Sequence, residues 1–315
     1  MPSNFELFKK QLDEAVELID ESVLMDDTNY PAILDEALDT QSLLERCDSI
    51  CLKHKPKKPV IRVIHHLACS GGTLISKCIS AMPNVYLLSE VHPFTDLGID
   101  KGKPKYAPTD LISLTKYAGI PKQKELAGRL FKQSIDNIYE HVTCLGGILV
   151  LRDHTHADFN TEQLVPAKST LIELLEDTYE VKSILTIRNP IDSYASLLKN
   201  GWVHFEPQTL DEYCRRLLLL IEQFNSEQLF EYEEFLKAPR ERMQEITNAL
   251  ELPFDDTFED VFGVFKVTGD SGRSSDVISD RSRIAPEEII RESQGSQNFR
   301  KLKKFNWLED KCKKI

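Results

Sequence analysis

The chain has 315 residues, a hydrophobic share of 41% and a formal net charge of −12, which suits one large domain or a domain with an appendage. The charge is uneven: residues 1–50 hold 13 acidic and 3 basic side chains, leaving 36 basic and 38 acidic in the remainder. No concentrated basic face results, so nucleic acid is excluded as a partner, and no apolar run approaches the roughly 20 residues needed to span a membrane.

The amino-terminal MPSNFELFKKQLDEAVELID has no apolar core of the secretory type. The seven cysteines are scattered, with no CxxC pair and no zinc spacing. Both features imply reduced thiols and a cytoplasmic location. Residues 1–57 read as an acidic helical region followed by a linker. Phe5, Phe8, Leu12, Val16 and Ile19, then Ile33, Leu34, Leu38, Leu43 and Leu44, keep a helical period broken near Pro31. KHKPKKP (53–59) is the linker, and 58–315 is expected to form an α/β domain.

That domain opens with PVIRVIHHL (59–67), a β-branched apolar run suited to a buried strand. A glycine turn follows, then a helix over 73–81. Val85-Tyr86-Leu87-Leu88, GILVL (147–151) and VKSILTI (181–187) are further strands, with helical stretches such as ELAGRLFKQSIDNIYEHV between them. Strands alternating with helices predict a mostly parallel, doubly wound sheet.

The turn between the first strand and the first helix reads Cys69-Ser70-Gly71-Gly72-Thr73. Glycines let several backbone N–H groups converge on one concavity, and the helix adds its positive end, a combination that binds phosphate. The Walker pattern GxxxxGK[ST] is absent, which disfavours hydrolysis of ATP or GTP here. Strand VKSILTI ends in RNPIDSYAS (188–196). Arg188 therefore sits at a carboxyl strand edge, Pro190 suits the first turn of a helix, and Ser196 lies two turns further on.

These two segments, in this order, resemble the phosphate-binding elements of sulfotransferases that use 3′-phosphoadenosine-5′-phosphosulfate (PAPS). FEYEEFLKAP and LELPF, within 230–256, resemble a later structural part of the same family, so the resemblance covers residues 60–260. It implies a P-loop α/β fold and transfer of a sulfuryl group to an acceptor hydroxyl. It places the 5′-phosphosulfate at Cys69, Ser70, Gly71, Gly72 and Thr73, and the 3′-phosphate at Arg188 and Ser196. "SEVHPF" (89–94) is similar to the carbohydrate, heparan-type branch, which nominates Glu90 as the base that deprotonates the acceptor, with His92 behind it. LRDHTHADF (151–159) leaves the third strand at the same edge, so Arg152, His154 and His156 are also candidates, His154 foremost for proton transfer. The family closes its nucleotide site with a late loop, for which Gly269, Gly272 and Arg273 stand here.

The family's usual lysine beside the loop serine is missing, and Cys69 occupies its place. A neutral thiol supplies no cation; Lys77, His65, His66 and Arg152 are the candidates to replace it. Two histidines two apart also fit a metal pair, but sulfuryl transfer needs no metal and none is assigned. The rival readings are a P-loop phosphotransferase using ATP and a non-catalytic nucleotide-binding protein. The acceptor is expected to be a carbohydrate or a small alcohol.

Overall fold

The computed structural model describes residues 9, 10, 13, 58–97, 107–269, 278–279 and 285–302. The acidic region expected over 1–57 thus lies almost wholly outside the described residues, as do Gly272 and Arg273. The elements that build the site are β1 (Val60–His66), α1 (Gly72–Ser80), β2 (Val85–Val91), α2 (Gln123–Cys144) and β3 (Ile148–Asp153). They continue as the short α3 (His156–Phe159), α4 (Thr170–Leu175), β4 (Glu180–Ile187), α5 (Pro190–Asn200), α6 (Leu210–Ile221), β5 (Leu229–Glu231), α7 (Tyr232–Lys237) and α8 (Pro239–Ala249).

All five strands among the described residues are parallel, in the order β2-β3-β1-β4-β5. A parallel sheet needs cover on both faces, and the alternation of side chains along the strands shows where it comes from. Ile64, Val150 and Ile184 point to one face, where Ile75, Cys78 and Ile79 of α1 and Met243 and Ile246 of α8 meet them. Ile61, Val63, Leu149 and Leu151 point to the other, against Phe131 and Ile135 of α2 and Leu171 and Leu175 of α4. Beyond β4 a third cluster joins Leu185 and Ile187 to Tyr194 and Leu197 of α5 and Tyr213 and Leu217 of α6. The fold is a doubly wound α/β sheet flanked by helices. No helix among the described residues is long and apolar enough to cross a membrane.

The expected strands and first helix are all present, each shifted or extended by a residue or a few. The largest extension is in β2, expected to end at Leu88 and continuing to Val91. Its register with β3 shifts between Leu88 and Val91, and Glu90 there takes a left-handed φ of 61°. A bulge of this kind re-aims the side chains that follow it.

The strand order places the site. From β1 the chain leaves toward β2, whereas from β4 it leaves toward β5, although β1 and β4 are neighbours. Diverging connections open a crevice at the carboxyl ends of two such strands, and ligands of open α/β sheets bind there. The loop 67–71 and Arg188 are the two rims of that crevice.

Phe235 is fully buried in the cluster under α1 and α8, and Val264 is 77% exposed. Phe235→Ala is expected to cost about 3–5 kcal/mol and Val264→Ala less than about 0.5 kcal/mol, read as the shift in denaturant unfolding.

Candidate functional site

The loop after β1 begins with Cys69 in a left-handed conformation, φ 66°, followed by Gly71 at φ 87°. Glycine is required at 71 twice over: the backbone conformation favours it, and a Cβ there would lie 2.2 Å from the Tyr232 ring. At Gly72 a Cβ would lie 2.2 Å from the His66 ring. The loop backbone therefore rests on two rings, one from α7 and one from the end of β1.

Gly71 is the N-cap of α1, and no side chain caps that helix. The side chains that could do so turn elsewhere. Ser70 is buried and its hydroxyl donates to the Leu67 carbonyl at 2.7 Å. The Cys69 sulfur accepts from Asn200 Nδ2 at 3.7 Å and packs against the α5–α6 cluster. An uncapped helix N-terminus with its dipole aimed at a crevice suits an anion.

Arg188 closes the other rim. Its Nη1 donates to the Cys69 carbonyl at 3.1 Å, and its guanidinium stacks over Tyr232, 5.1 Å from the ring centroid. Its Nε is buried without a partner. The turn that carries it is fixed by Asn189, whose N–H donates to Glu233 Oε1 at 3.0 Å and whose Oδ1 caps Ile191 of α5. Pro190 opens α5 as expected, and Ser196 is buried on it. Burial raises the Glu233 carboxyl above the usual range despite the Asn189 donor.

Across the loop, Arg152 of β3 is the hub. Its Nη2 lies 2.7 Å from His66 Nε2, 2.7 Å from Glu90 Oε1 and 3.2 Å from Thr73 Oγ1. Its Nη1 donates to Ser89 Oγ and to the Thr268 carbonyl, both at 3.0 Å. Thr268 Oγ1 in turn donates to the Ser89 carbonyl at 2.7 Å. The segment ending at Gly269 is thereby pinned over β2, and a Cβ at Gly269 would lie 2.7 Å from Glu90 Oε1.

Charge states follow. Burial first, and the Arg152 charge second, push the His66 imidazole down to about 4. It is neutral at pH 7 and its Nε2 accepts from Arg152, so its proton sits on Nδ1. His66 Nε2 is 3.7 Å from Glu90 Oε1, beyond hydrogen-bond length; the close donor to Glu90 is Arg152. Burial works against the Glu90 carboxylate, but the Arg152 guanidinium 2.7 Å away outweighs it and holds it at about 2.

Glu90 also faces His154, with Oε2 3.5 Å from Nδ1. The His154 and His156 rings lie 3.6 Å apart, tilted by 40°. His154 Nε2 and His156 Nδ1 are buried without hydrogen-bond partners. Burial depresses both imidazoles, that of His156 strongly, with Glu90 pulling the other way.

The crevice thus gathers Gly71, Gly72, Thr73, Arg188, Glu90, Arg152, His154 and His156. His92 is employed differently: its Nδ1 accepts from the Phe94 N–H and its Nε2 lies 3.1 Å from Asp158 Oδ1, both at 3.1 Å. With both nitrogens engaged it orders the loop after β2. Tyr232 and Ser89 are contacts that sequence reasoning passed over. The available signal for Tyr232 was its place at the carboxyl end of β5, beside β4.

No family model matches the chain, and no curated protein matches it. Among solved structures it is similar to a sulfotransferase domain from the curacin biosynthetic pathway, at 16% identity over 76% of this chain and 98% of that one, with a TM-score of 0.47. A sulfotransferase domain from the Synechococcus PCC 7002 olefin synthase matches at 16% identity over 76% and 96%, TM-score 0.42. A mouse sulfotransferase, SULT7A1, complexed with PAP, matches at 13% over 78% and 89%, TM-score 0.37. These scores are low, and the functional reading rests on the residues of the crevice.

A depressed imidazole destabilises the folded chain in acid. The folded His66 value, about 4, lies below its ordinary 6.5, so the unfolded chain binds the extra proton between the two. Its contribution to stability is complete above pH 6.5 and drains as pH falls toward 4, by about 3 kcal/mol in all. Glu90 adds a further loss between about 4.5 and 2. Unfolding midpoints measured across pH 4–7 should fall with acid, and His66→Gln should flatten part of that slope.

Proposed function

We propose that the chain is a sulfotransferase that moves the sulfuryl group of PAPS to an acceptor hydroxyl. The observation that carries this reading is the uncapped N-terminus of α1 at the β1–β4 crevice, with Arg188 on one rim and a proton-accepting cluster on the other. One rim suits a doubly phosphorylated nucleotide, and the other suits an alcohol that must lose a proton.

The loop N–H groups at Gly71, Gly72 and Thr73 would hold the 5′-phosphosulfate. Arg188, whose Nε is unpartnered, would pair with the 3′-phosphate, with Ser196 behind it on α5. Arg152, which donates to Thr73 Oγ1 at 3.2 Å, would stand in the place of the missing lysine. Its charge stabilises the bridging oxygen as the S–O bond breaks.

Proton removal falls to the Glu90–His154 pair. Glu90, the base nominated from sequence, is held at about 2 and is a weak proton acceptor. His154 is neutral at pH 7, faces Glu90 through Nδ1 and has Nε2 without a partner. In the proposed step the acceptor oxygen attacks sulfur, its proton passes to His154 Nε2, and 3′,5′-ADP departs with the electrons of the broken S–O bond. Glu90 stabilises the imidazolium so formed. The carbohydrate-type acceptor rests on the "SEVHPF" resemblance, and the cytoplasmic location on cysteine usage and the N-terminal sequence.

The cofactor test is calorimetry. 3′,5′-ADP should bind at least roughly tenfold more tightly than 5′-AMP, about the worth of one charge-assisted contact, and Arg188→Ala should erase the difference. Equal affinities in the unaltered protein would overturn the reading.

The proton test uses transfer of labelled sulfate from PAPS to a panel of carbohydrates and small alcohols. His154→Gln should lower kcat by about 10²–10⁴ while 3′,5′-ADP affinity, which reports intact folding, stays constant. Full turnover by His154→Gln with loss in Glu90→Gln would return the base to Glu90.

A further inference from the structure

We propose that Glu90, His154 and His156 form a binding site for one borderline-soft transition-metal dication of the Zn²⁺ kind, and that its occupancy switches transfer off. One ligand atom from each of the three residues lies within 4.8 Å of the other two. Two imidazoles and a carboxylate are a donor set suited to zinc, whereas Mg²⁺ and Ca²⁺ prefer oxygen alone. Metal–nitrogen bonds of about 2.0–2.1 Å in a tetrahedral shell place two ligand nitrogens roughly 3.4 Å apart. The ligand atoms of the three residues, all within 4.8 Å of one another, would draw together to that spacing by rotation of the two rings.

Two independent features favour a cation here. The first is a donor without employment: His156 Nδ1 is buried and has no hydrogen-bond partner, and a neutral imidazole nitrogen left so is costly unless something occupies it. The second is support behind the carboxylate. Arg152 holds Glu90 Oε1 at 2.7 Å, and Oε2 lies 3.5 Å from His154 Nδ1, the nitrogen that would share the ion with it. Ligating carboxylates are themselves held by outer hydrogen bonds, which fix the free oxygen toward the metal. The strained backbone of Glu90, φ 61°, aims the side chain into this cluster. Three protein ligands leave a fourth position for water.

A metal on His154 and Glu90 occupies the pair that accepts the acceptor's proton, so the loaded protein cannot use it. This inhibitory part rests on the sulfuryl-transfer reading; the site itself does not.

The test is titration of the full-length chain with Co²⁺, followed by visible absorption. The expected result is saturation at one equivalent, with a d–d band of tetrahedral intensity and no thiolate-to-cobalt charge transfer. His156→Asn, which keeps polarity and similar size, should weaken binding at least about tenfold, and Cys144→Ser should leave it unchanged. Should His156→Asn unfold by circular dichroism, paramagnetic broadening in the unaltered protein should be strongest at the His154 and His156 rings. A thiolate band, broadening centred elsewhere, unchanged binding in folded His156→Asn, or no saturable uptake up to roughly millimolar Co²⁺ would each overturn the site. Saturating Zn²⁺ should then abolish sulfate transfer by the unaltered protein, and undiminished transfer in the zinc-loaded protein would overturn the inhibitory part while leaving the site standing.

Discussion

The buried guanidinium of Arg152 is the interaction on which the β2–β3 half of the crevice depends. It joins His66 at the end of β1, Thr73 at the start of α1, Ser89 and Glu90 on β2, and the carbonyl of Thr268. A buried arginine is tolerable only when its donors are met and its charge is balanced. Here the Glu90 carboxylate sits against the charge, and His66, Thr73, Ser89 and Thr268 supply acceptors. Remove Glu90 and the charge is left buried beside a neutral histidine. Remove Arg152 and Glu90 loses the charge that helps hold it ionised. The depressed values of His66 and Glu90 are two consequences of the same contact network.

Much of the fold was legible because its determinants are local. β1, β3 and β4 each hold a short apolar stretch rich in Val, Ile and Leu, which is how strands buried on both faces read. The alternation of strand and helix announces a parallel sheet, and Arg188 stood out because it follows such a run directly. The loop after β1 was legible from its two glycines. Their physical reason was less so, since it needs the rings of Tyr232 and His66, one of them from the start of α7, more than 150 residues along the chain.

The hub was the harder part. Arg152 could be nominated from its position at the carboxyl end of β3, but its partners come together only through the order β2-β3-β1, which no local pattern encodes. The turn at Glu90 carried no glycine to mark it, and Cys69 adopts its left-handed backbone equally unannounced. His92 was nominated by its closeness to Glu90 in sequence. The bulge in β2 sends the two apart in role: Glu90 goes to Arg152 and His154, His92 to Asp158 and its own loop.

The seating of Gly71 and Gly72 on two aromatic rings bears on what recognition costs. A phosphate loop that floats free must be ordered by its ligand, and each residue so ordered forfeits on the order of 1–2 kcal/mol of conformational entropy. Here the backbone already lies against Tyr232 and His66 as closely as a glycine permits, and the Cys69 carbonyl is fastened by Arg188. The cradle exists before anything enters it, so most of the contact energy of an incoming anion is retained as affinity. The same close seating makes the loop intolerant of drift: neither glycine can acquire even a methyl group without displacing a ring, and each ring belongs to a different side of the crevice.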